Sequence, residues 1–249
     1  MIDEITKILP KAYDDGLKPM VQETGKTLAL LPKTINAALA PLDIWIAQRN
    51  YKISETKKLL EIKLKNVDQS KIVTPEAYVA VPTLEAISYS MDSEELRNMY
   101  SNLLAKAMNE DEKDKVHPAF VELIKQMTPM EAVFLDDIFK KEVTPLIDLS
   151  IKLENGGNDH YIYNISWITH FSYRDVALAI NNLQRMGLID IPFGVCYTED
   201  QLYEQIRNTT VYKEHKEKLK NMNIGTVEEN KKIIQKTSLA QSFCEICLV

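Results

Sequence analysis

Glycine is scarce in this chain: seven residues in 249, and dispersed. The adjacent pair Gly156-Gly157 lacks the Lys-Ser/Thr that follows a phosphate-binding loop, so neither ATP nor a dinucleotide has a recognisable cradle. Cysteine is scarcer still. Three residues, an odd number, argue against a disulfide scaffold and favour a reducing compartment. The four histidines, His117, His160, His170 and His215, make none of the spacings of a metal site; His117, ahead of Pro118, reads as closing a turn. No arginine is separated from a histidine by the four to six residues of the helical RNases; Arg207 and His215 come nearest, with seven between them. A G-x-S-x-G nucleophile elbow is also missing. Charge of one sign does not dominate: 30 Lys and Arg stand against 36 Asp and Glu, a formal charge of -6 that excludes a whole-surface polycation and leaves room for a local basic patch. The longest stretch without an acid or base, His160 to Tyr173, is polar and too short to cross a bilayer. The opening MIDEITKILPKAYDDG carries acids early, and no secretory leader is expected.

What is present is ordinary globular material, 45% apolar and 27% charged, enough for one or two domains with real cores. Residues 1 to about 66 read as helical, with Ile35, Ala38, Leu39, Leu42 and Ile46 on one stripe, and Pro41 kinking or splitting the helix. From Arg49 to Lys65, six cations face two glutamates. A helix is expected from Pro75, with Thr74 as its cap and, at Pro82, either a bend or a late start that leaves Tyr78–Val81 extended. The next is expected from Asp92–Glu95 with Leu96, Met99, Tyr100, Leu103, Leu104 and Ala107 inward. Asn109–Pro118 reads as a charged turn, and Phe120, Ile124 and Met127 mark a short helix. Thr128-Pro129-Met130-Glu131 reads as a capping-box start and marks the boundary between domains 1–127 and 128–249.

In the second domain, Asn155–Asn158 sits between apolar alternations and predicts a hairpin. Ser166–Thr169 is read as a short helical turn. Ser172 caps a helix that ends at Gly187 as a left-handed residue, and Leu188–Ile191 follows as a strand. Thr198–Lys220 reads as a helical, solvated insertion, Lys231–Lys236 as a returning strand, and the chain closes with an amphipathic helix from Leu239. Its Cys244 and Cys247 read as two buried thiols one turn apart. The fold class is mainly α: an N-terminal helical domain followed by a winged-helix-like α/β domain with a helical insertion in the wing.

Several segments also carry a resemblance. Leu31-Pro32-Lys33-Thr34, Ala40-Pro41-Leu42, the ELRNMYSNLLAKAM helix, Lys115–Pro118 and Gln126–Pro129, in this order, resemble the Abi-alpha family of abortive phage infection. The resemblance implies a bacterial, cytoplasmic phage-defence protein, often proposed to kill or arrest the infected cell. It implies no established reaction, catalytic set or cofactor. The long insertion in the wing puts a DNA-reading role of that element in doubt.

Two candidate surfaces follow. Ile35, Leu39, Leu42 and Trp45, with the basic Lys52, Lys57 and Lys58 beyond them, could meet an anionic membrane, a protein partner or a second copy, or could be an ordinary core stripe. Arg174, Asn181 and Arg185, with Asn182 and Gln184, lie in the recognition-helix position; Arg suits guanine and Asn adenine. No catalytic residue, metal ligand or cofactor is expected. The leading expectation is a non-enzymatic phage-defence protein acting through protein contacts or membrane engagement, cytoplasmic or peripheral at the inner face of the membrane. A winged-helix regulator that binds nucleic acid is the alternative.

Overall fold

The computed structural model describes residues 31–40, 53–90 and 92–248, so Leu42, Trp45, Ile46 and Lys52 lie outside the described residues. The described chain is mainly helical with a small antiparallel sheet. It divides into two units, residues 1–129 with 245–249, and residues 130–244.

Unit 1 contains α1 (Leu31–Leu39), α2 (Ile53–Leu64), α3 (Ala77–Tyr89), α4 (Glu94–Ala107) and α5 (Ala119–Lys125). One core cluster joins Leu31, Ile35, Ala38 and Leu39 of α1 to Leu60 and Leu64 of α2, Ala80 and Leu84 of α3 and Leu104 of α4. Ile35 and Leu39 are 1% and 2% exposed, which makes them core residues in this conformation. Ser93 caps α4 by accepting from the Leu96 amide, and Glu94 and Glu95 follow in its first turn, where carboxylates favour the helix dipole. The expected Thr74 cap is not formed. Helix α3 begins at Ala77 behind Glu76, which makes no side-chain cap bond, and it continues through Pro82 to Tyr89. At the short helix α5, the His117 Nδ1 accepts from the Ala119 amide at 3.1 Å, so the histidine closes the turn as its position before Pro118 suggests.

Unit 2 contains α6 (Pro129–Lys140, of which Pro129 belongs to unit 1), β1 (Pro145–Leu153), β2 (Asn158–Ile165), α7 (Tyr173–Arg185), β3 (Ile189–Asp190), α8 (Glu204–Arg207), α9 (Thr210–Lys220), β4 (Gly225–Ile233) and β5 (Gln235–Lys236). Helix α10 (Ser238–Cys247) closes the described chain; its residues to Cys244 group with unit 2 and the rest with unit 1. The hairpin forms at Asn155–Gly157, with Gly156 at φ 85° and the Asn155 side chain accepting from the Gly157 amide. Strand β1 is the centre of the order β2-β1-β4.

Three expectations need correction here. Ser166–Thr169 is not helical; the Ser166 hydroxyl instead accepts from the Ile168 amide. The expected returning strand Lys231–Lys236 is divided between two sheets, because β4 pairs along the whole of β1 and β5 pairs with β3. The insertion is helical as expected but not solvated throughout: Tyr203, Ile206, Tyr212 and Leu219 are buried against Ile147, Leu149 and Ile151 of β1. An alternating strand and a helical stripe each looked half-exposed alone, and each covers the other. Gly225 opens β4 where a Cβ would collide with the Lys152 carbonyl, so only glycine permits this approach of the strands.

Candidate functional site

Alternation along β1 sends Ile147, Leu149 and Ile151 toward the insertion and Leu146, Asp148 and Ser150 to the opposite face. Register then decides what Asp148 meets. Lys232 of β4 lies opposite Leu146, one diagonal step from Asp148, and its ammonium reaches the Asp148 carboxylate at 2.8 Å. The β1–β2 register shifts between Ile147 and Leu149, and Asn164 sits opposite this irregularity at φ 58°. A left-handed backbone is costly for most residues and tolerable for asparagine.

Asn164 is held there from every side. Its amide donates to Asp148 Oδ1 at 2.8 Å, its Oδ1 accepts from Lys232 Nζ at 2.9 Å, and its Nδ2 donates to Asn181 Oδ1 of α7 at 3.1 Å. Asp148 and Asn164 are buried, and the network ties three strands to α7. Its members are mutually satisfied, which suits orientation of a helix on a sheet better than attack on a substrate. The sequence reading missed Asp148, Asn164 and Lys232; the one local sign was an Asn at the end of an alternating strand.

Helix α7 keeps the Ser172 cap and ends as expected: Gly187 has φ 72° and the Leu188 amide returns to the Leu183 carbonyl. Its buried side is Val176, Ala179, Ile180 and Leu183. Arg174, Leu178, Asn181 and Arg185 make an exposed row on the other side. Asn181 is engaged by Asn164, as described. Arg185 donates from Nε and Nη2 to Asn182 Oδ1 at 3.1 and 2.8 Å, while Asn182 Nδ2 donates to the buried Glu131 of α6. Leu178, 64% exposed, is the apolar centre of the row.

After β3 the chain turns through Pro192–Val195, with Gly194 at φ 72° and Phe193 fully exposed. No lysine or arginine occurs between Arg185 and Arg207, whereas Asp190, Glu199, Asp200 and Glu204 do. Asp200 and Glu204 are bound by Arg207, at 2.8 and 2.7 Å; Asp190 and Glu199 remain exposed on either side of the turn.

A second charged group fixes the insertion to β4. Arg207 reaches Glu229 at 3.0 Å, Lys216 reaches Glu229 at 2.8 Å, the Tyr212 hydroxyl donates to Glu229, and Lys231 reaches Asp200. Hydrogen bonds from Arg207 and then Lys231 hold the Asp200 carboxyl below its ordinary range. Burial pushes Glu229 upward, and the bonds from Lys216, Tyr212 and Arg207 more than reverse it. Burial lowers His215, whose ring meets Tyr173 edge-on at 4.8 Å.

Among the described residues no group of His, Cys, Asp and Glu is arranged to hold a metal ion. Cys244 and Cys247 are both buried, as the helical stripe requires. The buried Asn102 of α4 donates to the Cys247 carbonyl at 2.8 Å and so satisfies the C-terminal end of α10, a partnership across 145 residues that no local pattern announces. Of the basic candidates near the N-terminus, Lys57 is half-buried and Lys58 exposed.

A family model described as abortive infection alpha matches residues 48–247. No curated protein matches the sequence. A solved structure of an uncharacterized protein from the hydrocarbon-degrading marine bacterium Alcanivorax borkumensis SK2 is similar at 14% identity, covering 56% of this chain and 96% of that one with a TM-score of 0.37.

Proposed function

Because the chain belongs to the abortive infection alpha family, we propose that it is a phage-defence protein that works by contacting other proteins and catalyses no reaction itself. The carrying observation is the chemistry of the outward groups of unit 2. Leu178, Phe193 and Val195 are exposed, while the polar Asn181 and Arg185 make hydrogen bonds within the fold. A buried apolar anchor ringed by polar groups is the usual basis of a protein interface.

We read α6, α7 and the β3–β5 pair as a winged-helix core carrying the insertion in its wing. In a DNA reader the wing and recognition helix would present cations to phosphate. Here the turn after β3 is flanked by Asp190 and Glu199, which favours a protein partner. Membrane engagement through α1 has a cost: withdrawing Ile35 and Leu39 from the core would leave Leu60 and Leu64 uncovered, a loss of packing of about 2–5 kcal/mol for each large side chain removed. Among the described residues, no helix is long and apolar enough to cross a membrane. The cytoplasm is the compartment that suits this reading.

Phage challenge of cells expressing equal amounts of each variant tests it. Phe193→Ser and Leu178→Ser should weaken protection, whereas Arg174→Ala with Arg185→Ala should leave it intact. Duplex DNA binding that falls steeply with salt and disappears in the double arginine variant would replace this reading with a nucleic-acid regulator. Flotation with anionic vesicles that Leu39→Glu abolishes, in a variant that remains folded, would replace it with a membrane effector. Metal- or nucleotide-dependent turnover lost on one polar substitution would overturn the non-catalytic claim.

A further inference from the structure

The 190–199 segment presents an apolar tip between two exposed acids, Asp190 and Glu199, with Phe193 fully exposed and Val195 39% exposed. Helix α2 presents the opposite pattern. Its buried side is Thr56, Leu60 and Leu64, and on the outward side Lys58, Ile62 and Lys65 follow one another at spacings of four and three, Lys65 standing in the turn just after the helix. Ile62 is 59% exposed between these two exposed lysines. At 1.5 Å of rise per residue the two lysine positions are roughly 10 Å apart along the axis. One surface is acid, apolar, acid; the other is base, apolar, base.

Resting on the protein-contact reading above, we propose that the partner of the Phe193 turn is a second copy of this chain, docked by its α2 surface. Phe193 and Val195 cover Ile62 of the neighbouring copy, and Asp190 and Glu199 meet Lys58 and Lys65. Charge complementarity of this kind fixes register and accelerates encounter more than it adds affinity, and the apolar centre supplies the attraction. The two surfaces are different patches, each used once per copy. Each copy offers both, so the pairing is reciprocal in a two-fold dimer or head-to-tail in a closed ring or open chain. An acidic turn is also repelled by phosphate and by anionic lipid, which separates this occupant from nucleic acid and membrane.

Sedimentation velocity of the purified full chain tests the proposal. Wild type should self-associate, and raising salt from about 0.05 to about 0.5 M should weaken association by about tenfold or more. Phe193→Ser, and separately Lys58→Glu with Lys65→Glu, should each abolish assembly; all three positions are exposed, so circular dichroism should be unchanged. Mixing the two variants should give dimers that grow no further, because each retains one intact surface. Asp190→Lys with Glu199→Lys, placed on the Lys58→Glu and Lys65→Glu background, should restore assembly. A chain that stays monomeric at about 100 µM, or assembly indifferent to both sets, overturns the proposal. Loss of phage protection in Phe193→Ser with a monomeric wild type would overturn the second-copy partner while leaving the protein-contact reading standing. Full protection in that variant would overturn the reading itself.

Discussion

Asn164 is the residue at which local preference and tertiary demand are most sharply joined. Its left-handed backbone is permitted by its own chemistry, and its amide, Oδ1 and Nδ2 are all used by neighbours from β1, β4 and α7. Asn164→Gly should retain the backbone and lose the side-chain bonds. Asn164→Ala should lose both, adding about 1 kcal/mol for the left-handed conformation to about 1–3 kcal/mol for the stranded polar groups. Urea unfolding of the pair should therefore rank alanine below glycine, and the opposite order would deny the strain argument. His117 and the buried Cys244 and Cys247 were legible in the sequence because their partners or their stripe are local. Asp148 and Lys232 were not, since what pairs them is the β1–β4 register.

Among the elements, the insertion changed most between sequence and structure. Its helices were readable from periodicity, but a surface rich in Lys and Glu concealed the spaced Tyr203, Ile206, Tyr212 and Leu219 that reach β1. Strand β4 was equally hidden: GTVEENKKI has few apolar residues, and its status as a strand comes from pairing with β1 along its whole length. The charged contacts that lock the insertion to β4 predict a pH dependence. Asp200 and Glu229 have carboxyls depressed below the ordinary values near 4. A depressed folded value contributes stability that is present above the unfolded value and lost as pH falls through the folded one. Thermal unfolding should show unit 2 weakening below about pH 4, and Arg207→Gln should flatten that dependence. An unchanged acid limb in the variant would rule out this network as its source. Tyr203→Phe should cost about 1 kcal/mol, because the hydroxyl accepts from the Tyr197 amide and donates to the Lys232 carbonyl.

At the scale of the whole molecule, each unit carries a hydrophobic cluster of its own among the described residues, and the two answer to different substitutions. Leu39→Ala should destabilise unit 1 by about 2–5 kcal/mol, seen as faster hydrogen exchange in α1, α2 and α4. Exchange that stays at the wild-type rate would place Leu39 outside that core and reopen the membrane reading of α1. The amphipathic helices α1, α4 and α7, the Asn155–Gly157 hairpin and the family membership were all accessible from the order of residues. Each depends on spacing within a few turns or on motifs read in sequence. What covers Ile35 and Leu39, the fate of Lys231–Lys236 across two sheets and the hydrogen bonds that occupy Asn181 and Arg185 were not accessible in that way. Those depend on partners tens of residues distant, and a periodic stripe states that a face will be covered without stating by what.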